Sequence, residues 1–235
     1  MSSKLVDTKQ QFLMTLEYLI DSQVILPSEI SRFAARCDDI FDPEYIRQDM
    51  EDWYRHLGLE TIIRQKLVLS VCPFTREEIE AAASNNETII CIPKKVTRQQ
   101  LGQLFRLHTW ALTDPLQTSG TEPEDFWFRT SLSPYPTHLK HTGMEIKHTF
   151  NKEGKIHFSL ERYLVFVARY LFLTRQLPDS QYWVWLPHKA YDRSGMLIAG
   201  FDRFNTLNVH GWMPQFSASF LGARYGYPPG KHTEK

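Results

Sequence analysis

Apolar side chains recur every three or four positions through the first sixty residues, which is the spacing of one face of an α-helix. Three helices are expected there, over residues 5–21, 28–37 and 43–57. The third has the clearest start, because Asp42 is a good N-cap and Pro43 at the first helical position loses no hydrogen bond. We expect it to end at Gly58, a residue type that commonly follows a helix C-terminus.

After Gly58 the pattern changes to shorter runs rich in β-branched and aromatic residues, which favour strands. Strands are expected over residues 61–71, 88–92, 126–131, 182–186, 196–201 and 207–212. Two short helices are expected, one on each side of the strand at 88–92. Each begins with a capping-box pair, Thr75 with Glu78 and Thr97 with Gln100. Residues 161–174 are apolar almost all round, which predicts a buried central helix.

Residues 144–150 and 156–160 are interpreted as a β-hairpin around a loop at 151–155. In that register Ile146, His148 and Phe150 share one face, because side chains alternate along a strand. Beyond Met213 the periodicity is lost, although aromatic residues continue.

The fold class predicted from these elements is α+β, with a helical segment followed by a mixed, mainly antiparallel sheet and packed helices. Three parts are expected along the chain: an acidic helical head over residues 1–60, an α+β body over 61–212, and a partly flexible aromatic C-terminal arm over 213–235.

Charge supports the division between head and body. The 235 residues carry 27 Lys and Arg against 27 Asp and Glu. Residues 1–60 hold 6 of the basic and 12 of the acidic residues, so the remaining 175 residues hold 21 and 15. A head of charge −6 can therefore neutralise a body of charge +6, or either surface can attract a partner.

Several common classes of protein are disfavoured. The chain lacks the phosphate-loop, dinucleotide, nucleophile-elbow and zinc-helix signatures. Its three cysteines, Cys37, Cys72 and Cys91, form no CxxC pair, which argues against a disulfide scaffold. Without a signal peptide or an apolar run of about 20 residues, we expect a soluble cytoplasmic protein that does not enter the membrane.

Histidine is the residue type that could indicate a metal site, but its positions do not converge. His138 and His141 lie three apart, whereas the hairpin register places His148 and His157 on opposite faces. A catalytic zinc needs three protein ligands. We therefore expect no metal site, and the sequence leaves any cofactor unknown.

The loop between two predicted strands, at residues 188–193, is a candidate catalytic site. His188 with Asp192 could form an oriented general base, with Tyr191 and Arg193 as neighbouring ligand-binding residues. The same segment is also typical of an ordinary turn.

Two arginines on the apolar helix suggest anion binding. Arg162 and Arg169 are seven residues apart and thus on roughly one face, where they could hold a carboxylate or phosphate. The alternative is that each arginine reaches solvent or pairs with an acid of the same chain.

Nucleic-acid binding has some support from tryptophans near basic loops. Trp183 and Trp185 lie on one predicted strand, and exposed strand aromatics can stack on bases. That strand is apolar on both faces, however, which favours burial, and the neutral chain supplies little drive towards phosphate. Both features disfavour nucleic acid as a partner, although it stays an alternative.

The sequence favours a binding or protein-interaction module that uses aromatic anchors, through a protein partner or as a homo-oligomer. The anchors considered in the head and the arm are Trp53, Tyr54, Phe216, Phe220 and Tyr225. A small-molecule enzyme with a site at 188–193 and a nucleic-acid-associated protein are the alternatives.

Overall fold

The computed structural model describes residues 39–105, 122–191 and 195–230. In chain order the elements are α1 (Pro43–His56), α2 (Leu59–Ile63), α3 (Arg76–Ser84), β1 (Glu87–Ile92), α4 (Arg98–Phe105), β2 (Phe126–Ser131), α5 (Gly143–Glu153), β3 (Ile156–His157), α6 (Leu160–Thr174), β4 (Trp183–Tyr191), β5 (Gly195–Phe201), β6 (Leu207–Trp212), β7 (Leu221–Ala223) and β8 (Tyr225–Gly226). The predicted α+β class is confirmed. The helices predicted over residues 5–21 and 28–37 lie outside the described residues.

Local capping chemistry sets the start of several helices, as predicted. The Asp42 carboxylate accepts the Glu44 N–H at 2.7 Å ahead of α1. Thr75 and Glu78 form the reciprocal capping box of α3. These side chains satisfy N–H groups that have no partner inside the helix, which fixes where each helix begins.

The sheets are small and mostly antiparallel. β1 pairs with β2, and β3 pairs with β8. The largest sheet has the order β6-β5-β4-β7, in which β7 is parallel to β4 and the other pairs are antiparallel. β7 and β8 both come from the segment predicted as a C-terminal arm, and they join the sheets of the body.

The central helix α6 lies in the main core. Its residues from Leu160 to Phe166 are all buried, as the apolar pattern predicts, whereas Leu171 and Leu173 near its end are exposed. One face of the four-stranded sheet, with Val184 and Leu197, belongs to this core. The opposite face packs on Ile146 and Phe150 of α5 in a second cluster.

The predicted strand over residues 61–71 is wrong. A short helix, α2, occupies Leu59–Ile63, and the chain then runs without regular structure. Two backbone N–H groups of this segment bond to carboxylates and not to a neighbouring strand. Glu60 accepts the Leu67 N–H at 3.0 Å, and Glu51 accepts the Leu69 N–H at 2.8 Å. The alternating leucines are still buried, because side-chain acceptors satisfy their backbone donors.

The predicted hairpin over residues 144–160 is also wrong. Residues 143–153 form helix α5, which begins with a Thr142–Glu145 capping box and ends at Gly154 with φ of 60°. Ile146 and Phe150 are buried one helical turn apart, while His148 is exposed on another face. Capping and i, i+4 spacing therefore override the strand-like alternation.

Candidate functional site

The segment predicted to hold a catalytic pair is only partly described. β4 continues through His188 to Tyr191, with a register shift against β5 between Leu186 and Ala190. The side chains of His188 and Tyr191, and the whole of Asp192 and Arg193, lie outside the described residues. The proposed general base at His188 therefore stays a prediction.

The two arginines of α6 hold different carboxylates. Arg162 donates from Nε and Nη2 to Glu122 at 3.0 and 2.7 Å, and from Nη1 to the His157 carbonyl at 2.8 Å. Arg169 donates to Asp49, and its guanidinium carbon lies 5.4 Å from the ring centroid of Trp53. Each arginine thus makes internal ion pairs of its own, as the alternative interpretation of this pair expects.

Trp185 is buried in the second hydrophobic cluster, with Ile146 and Phe150 of α5. Its side chain is fully buried, and its indole N–H donates to the His141 carbonyl at 3.3 Å. A Cβ added at Gly143 would lie 3.1 Å from the Trp185 ring, so the start of α5 packs tightly on the indole. Trp185 therefore organises the sheet face but has no surface for a ligand.

Trp183 lies on the same sheet face, two residues away, and is only partly buried. Its indole crosses Gly200 on the neighbouring strand, where an added Cβ would come within 2.6 Å of the ring. The ring then reaches His210 on β6, with centroids 5.3 Å apart. Glycine in the interior of a strand often permits such a close approach, and here it lets Trp183 lie flat across the sheet.

A pocket of about 260 Å³ opens on this face, and aromatic residues form much of its wall. It is lined by Trp183, Ile198, His210, Trp212, Ala218, Phe220 and Leu221. We call this the aromatic pocket. Trp212 and Phe220 are 47% and 51% exposed, so the wall is open to solvent at both residues.

Strand pairing explains why these side chains converge. Ile198 pairs with His210, and Met196 pairs with Trp212, which places His210 and Trp212 on the same face as Ile198. The Trp183 N–H donates to the Phe220 carbonyl at 2.8 Å, which brings the C-terminal segment alongside β4. Phe216 and Met213, which precede Phe220 in that segment, are also more than half exposed.

The sequence identified part of this site. Of the residues named from the sequence, Trp183 and Phe220 line the aromatic pocket, while Phe216 is exposed but lies outside its lining. Trp53 and Tyr54 are buried in the main core and cannot serve as surface anchors. Gly200 was missed, although a glycine within an apolar strand was the available signal.

Three of the described histidines, His138, His141 and His157, make local hydrogen bonds. His138 Nδ1 lies 2.8 Å from the Thr137 hydroxyl, and burial lowers the pKa of His138. Within the three described ranges, no group of three or more His, Cys, Asp or Glu side chains is arranged to hold a metal ion.

The described fold and its pocket define an α+β protein with an apolar cleft on one sheet face. Comparison with models of known families, with curated proteins and with solved structures finds no match. Among the helices of the described residues, none combines the length and the apolar character needed to span a bilayer.

Proposed function

We propose that this protein is a protein-interaction module that binds an extended segment of a partner protein. The partner segment adds a strand beside β6 and inserts one large apolar side chain into the aromatic pocket. The observation that carries this proposal is the placement of an open, aromatic-walled pocket beside the edge strand of the four-stranded sheet.

The pocket has the size and chemistry for one large apolar side chain. A cavity of about 150 Å³ lined by apolar side chains can hold benzene. The aromatic pocket, at about 260 Å³, therefore has room for the ring of a phenylalanine or tryptophan. Six of its seven lining residues are apolar, so a charged group would lose its hydration there without gaining a counter-charge.

The edge of the sheet supplies the second half of the recognition. In the described part of the chain, β5 is the only strand that pairs with β6. Alternate backbone N–H and C=O groups of an edge strand point away from the sheet and can pair with an added strand. Backbone hydrogen bonds would then provide affinity, while the pocket would select the side chain.

Solvent exposure favours this occupant over stacked bases. Trp185, one of the two tryptophans considered for nucleic-acid binding, is buried, and so is Trp127 on β2. Trp183 on β4 and Trp212 on β6 instead line the same pocket, which suits a single inserted group better than a row of bases. The enzyme with a 188–193 site and the nucleic-acid-associated protein remain the alternatives.

The proposal can be tested without knowing the natural partner. A phage-displayed library of random peptides is selected on the full chain, and the enriched peptides are synthesised and titrated by fluorescence anisotropy. We expect peptides with one Trp, Phe or Leu flanked by strand-forming residues. Trp212→Ala should weaken their binding by about 2 kcal/mol, or roughly thirtyfold, as for a buried aromatic anchor.

The matched control is Phe204→Ala. Phe204 is an aromatic residue that is 72% exposed in the turn after β5, and it does not line the pocket. Equal affinities of wild type and Phe204→Ala would support the proposal. Failure to enrich any peptide, or unchanged binding to Trp212→Ala, would refute it. A wild-type dimer that Trp212→Ala dissociates would also refute it, because a second copy would then be the occupant.

A further inference from the structure

A second large pocket lies where α1, α3 and β1 meet α6. It has a volume of about 290 Å³, and we call it the α1–α3 pocket. Much of its wall is apolar, with side chains that include Phe41, Ile46, Ile79 and Ile89. The charged residues of the wall are Asp49, Glu87 and Arg169. Since a cavity of about 150 Å³ can hold benzene, this pocket has room for a small molecule with an aromatic or aliphatic body.

Arg169 brings a buried guanidinium group to the wall of this pocket. The residue is only 5% exposed, and its Nη2 donates to the carboxylate of Asp49, another residue of the wall. The guanidinium carbon lies 5.4 Å from the ring centroids of both Trp53 and Phe172. The carboxylate and the two rings hold the guanidinium group in place, so a ligand would meet a donor that is already ordered.

Two nitrogens of this guanidinium group have no hydrogen-bond partner. Nε and Nη1 of Arg169 are both buried, and neither bonds to an acceptor in the described part of the chain. The neighbouring rings attract the cation, but the face of a ring is a much weaker acceptor than an oxygen atom. A buried donor without an acceptor has lost its hydration and gained nothing in return. A ligand oxygen beside Arg169 would therefore supply hydrogen bonds that the chain itself does not provide.

The charges around the pocket favour an uncharged ligand. Arg169 pairs with Asp49, and the Glu87 carboxylate lies 3.1 Å from Nη1 of Arg129. These two cations and two carboxylates cancel, so the pocket has no excess positive charge to offset the desolvation of an anion. A cationic ligand would bring no acceptor to Arg169. A neutral carbonyl oxygen suits the site best, because its two lone pairs can accept from both nitrogens.

Asp49 provides a complementary acceptor next to these donors. Its carboxylate bonds to Arg169 through Oδ2, and its side chain is 37% exposed. Because a carboxylate accepts hydrogen bonds at both of its oxygens, Oδ1 can accept an N–H group of a ligand. A donor and an acceptor side by side match the C=O and N–H groups of an amide.

We propose that the α1–α3 pocket binds a small uncharged amide with an apolar body. The ligand carbonyl accepts from Arg169, its N–H group donates to Asp49, and its body contacts the apolar wall. None of the described residues that line this pocket also lines the aromatic pocket. This site therefore does not depend on the partner-binding proposal, and either one can fail alone.

The test compares four probes of similar shape in titrations of the full-length protein at neutral pH. Benzamide carries the amide, benzoate an anionic carboxylate, benzamidine a cation without an acceptor, and toluene none of these groups. Binding is followed by the backbone amide shifts of residues 45–49 and 82–89 in two-dimensional NMR spectra. We expect saturable benzamide shifts with a dissociation constant on the order of 1 mM. Benzamide should bind at least about tenfold more tightly than each of the other probes.

Two variants locate the site. Arg169→Met removes the donors, so it should weaken benzamide binding by about tenfold or more and leave toluene binding unchanged. Because Arg169 is buried, Ala83→Phe provides a variant that is safer for folding: Ala83 is exposed on α3 at the pocket wall, and the larger side chain should fill the space. Ser84→Phe is the matched control, since Ser84 is the next exposed residue of α3 and does not line the pocket.

Each outcome bears on a separate part of the proposal. Saturable benzamide shifts in wild type and Ser84→Phe that are lost in Ala83→Phe would support the site. Their absence in wild type, or unchanged binding to Ala83→Phe, would overturn it. Benzoate or benzamidine that binds as tightly as benzamide would overturn the assignment to an uncharged ligand. Equal affinities for toluene and benzamide would overturn the role of Arg169.

Discussion

Gly200→Ala should disrupt the aromatic pocket by displacing the indole of Trp183. The added Cβ would lie 2.6 Å from Cδ2 and 2.9 Å from Cγ of Trp183, which is too close for the ring to stay in place. Overpacking a well-packed site typically costs about 1–3 kcal/mol. Alanine recovers about 0.5–1 kcal/mol relative to glycine within a strand, so the net loss of stability should be about 1 kcal/mol.

Urea denaturation followed by tryptophan fluorescence measures this loss. For a chain of this size, 1 kcal/mol corresponds to a fall of about 2–4 °C in Tm. Trp183→Leu is the second arm of a double-mutant cycle, because it removes the ring with which the new methyl group collides. In the Trp183→Leu background, Gly200→Ala should be neutral or slightly stabilising. An equal cost in both backgrounds would refute the contact between Gly200 and Trp183 as the cause.

Three other predictions concern the scaffold. Arg224→Met should destabilise the protein by about 3–5 kcal/mol in urea titrations, because Asp179 is left buried without its cation; a loss below about 1 kcal/mol would contradict this pairing. Burial raises the pKa of Cys72 to about 11, so at pH 8 only about one thiol in a thousand is ionised. Iodoacetamide should therefore label Cys72 at least about a hundredfold more slowly in the native state than in urea, and more quickly as the pH rises. Peptide mass mapping measures both rates, and equal rates would contradict the burial. Thr142→Ala removes the cap of α5 and should cost about 1 kcal/mol in the same urea titration; unchanged stability would show that the cap does not contribute.

Helix starts were the most predictable part of the fold, because the determinants lie within four residues of one another. Asp42 with Pro43, and Thr75 with Glu78, act through hydrogen bonds inside a single turn. The strands at the centre of the large sheet were also predictable, since their continuous apolar runs fit burial on both faces. Both kinds of signal depend on local sequence, so neither needs knowledge of the distant partners.

The wrong strand at 61–71 and the missed strand β7 share a physical cause: the partners that decide the structure lie far away in the chain. Leu69 lies in an irregular segment because Glu51, 18 residues earlier, accepts its N–H. The strand β7 exists because Leu221 pairs with Trp183, across 38 positions of the sequence. At residues 143–153 the sequence holds both a β-like alternation and the Thr142–Glu145 capping box, and the capping box decides for a helix.

The aromatic pocket shows the same contrast between what local sequence indicates and what depends on distant parts of the chain. Part of the aromatic pocket could be anticipated, because phenylalanines in the otherwise aperiodic segment beyond Met213 suggest an interaction surface. That these residues come together in one pocket could not be predicted, since they belong to β4, β5, β6 and the segment leading into β7. Only the strand order brings Phe220 next to Trp183.

Hydrogen exchange of the β6 amides with and without a selected peptide tests the central claim most directly. Addition of a strand should slow exchange at the outward-facing amides within Leu207–Trp212, while amides of the buried strand β1 should keep their rates. The same peptide with N-methyl groups along its pairing edge should lose both binding and protection. Tight binding without any protection in β6 would contradict strand addition at this edge.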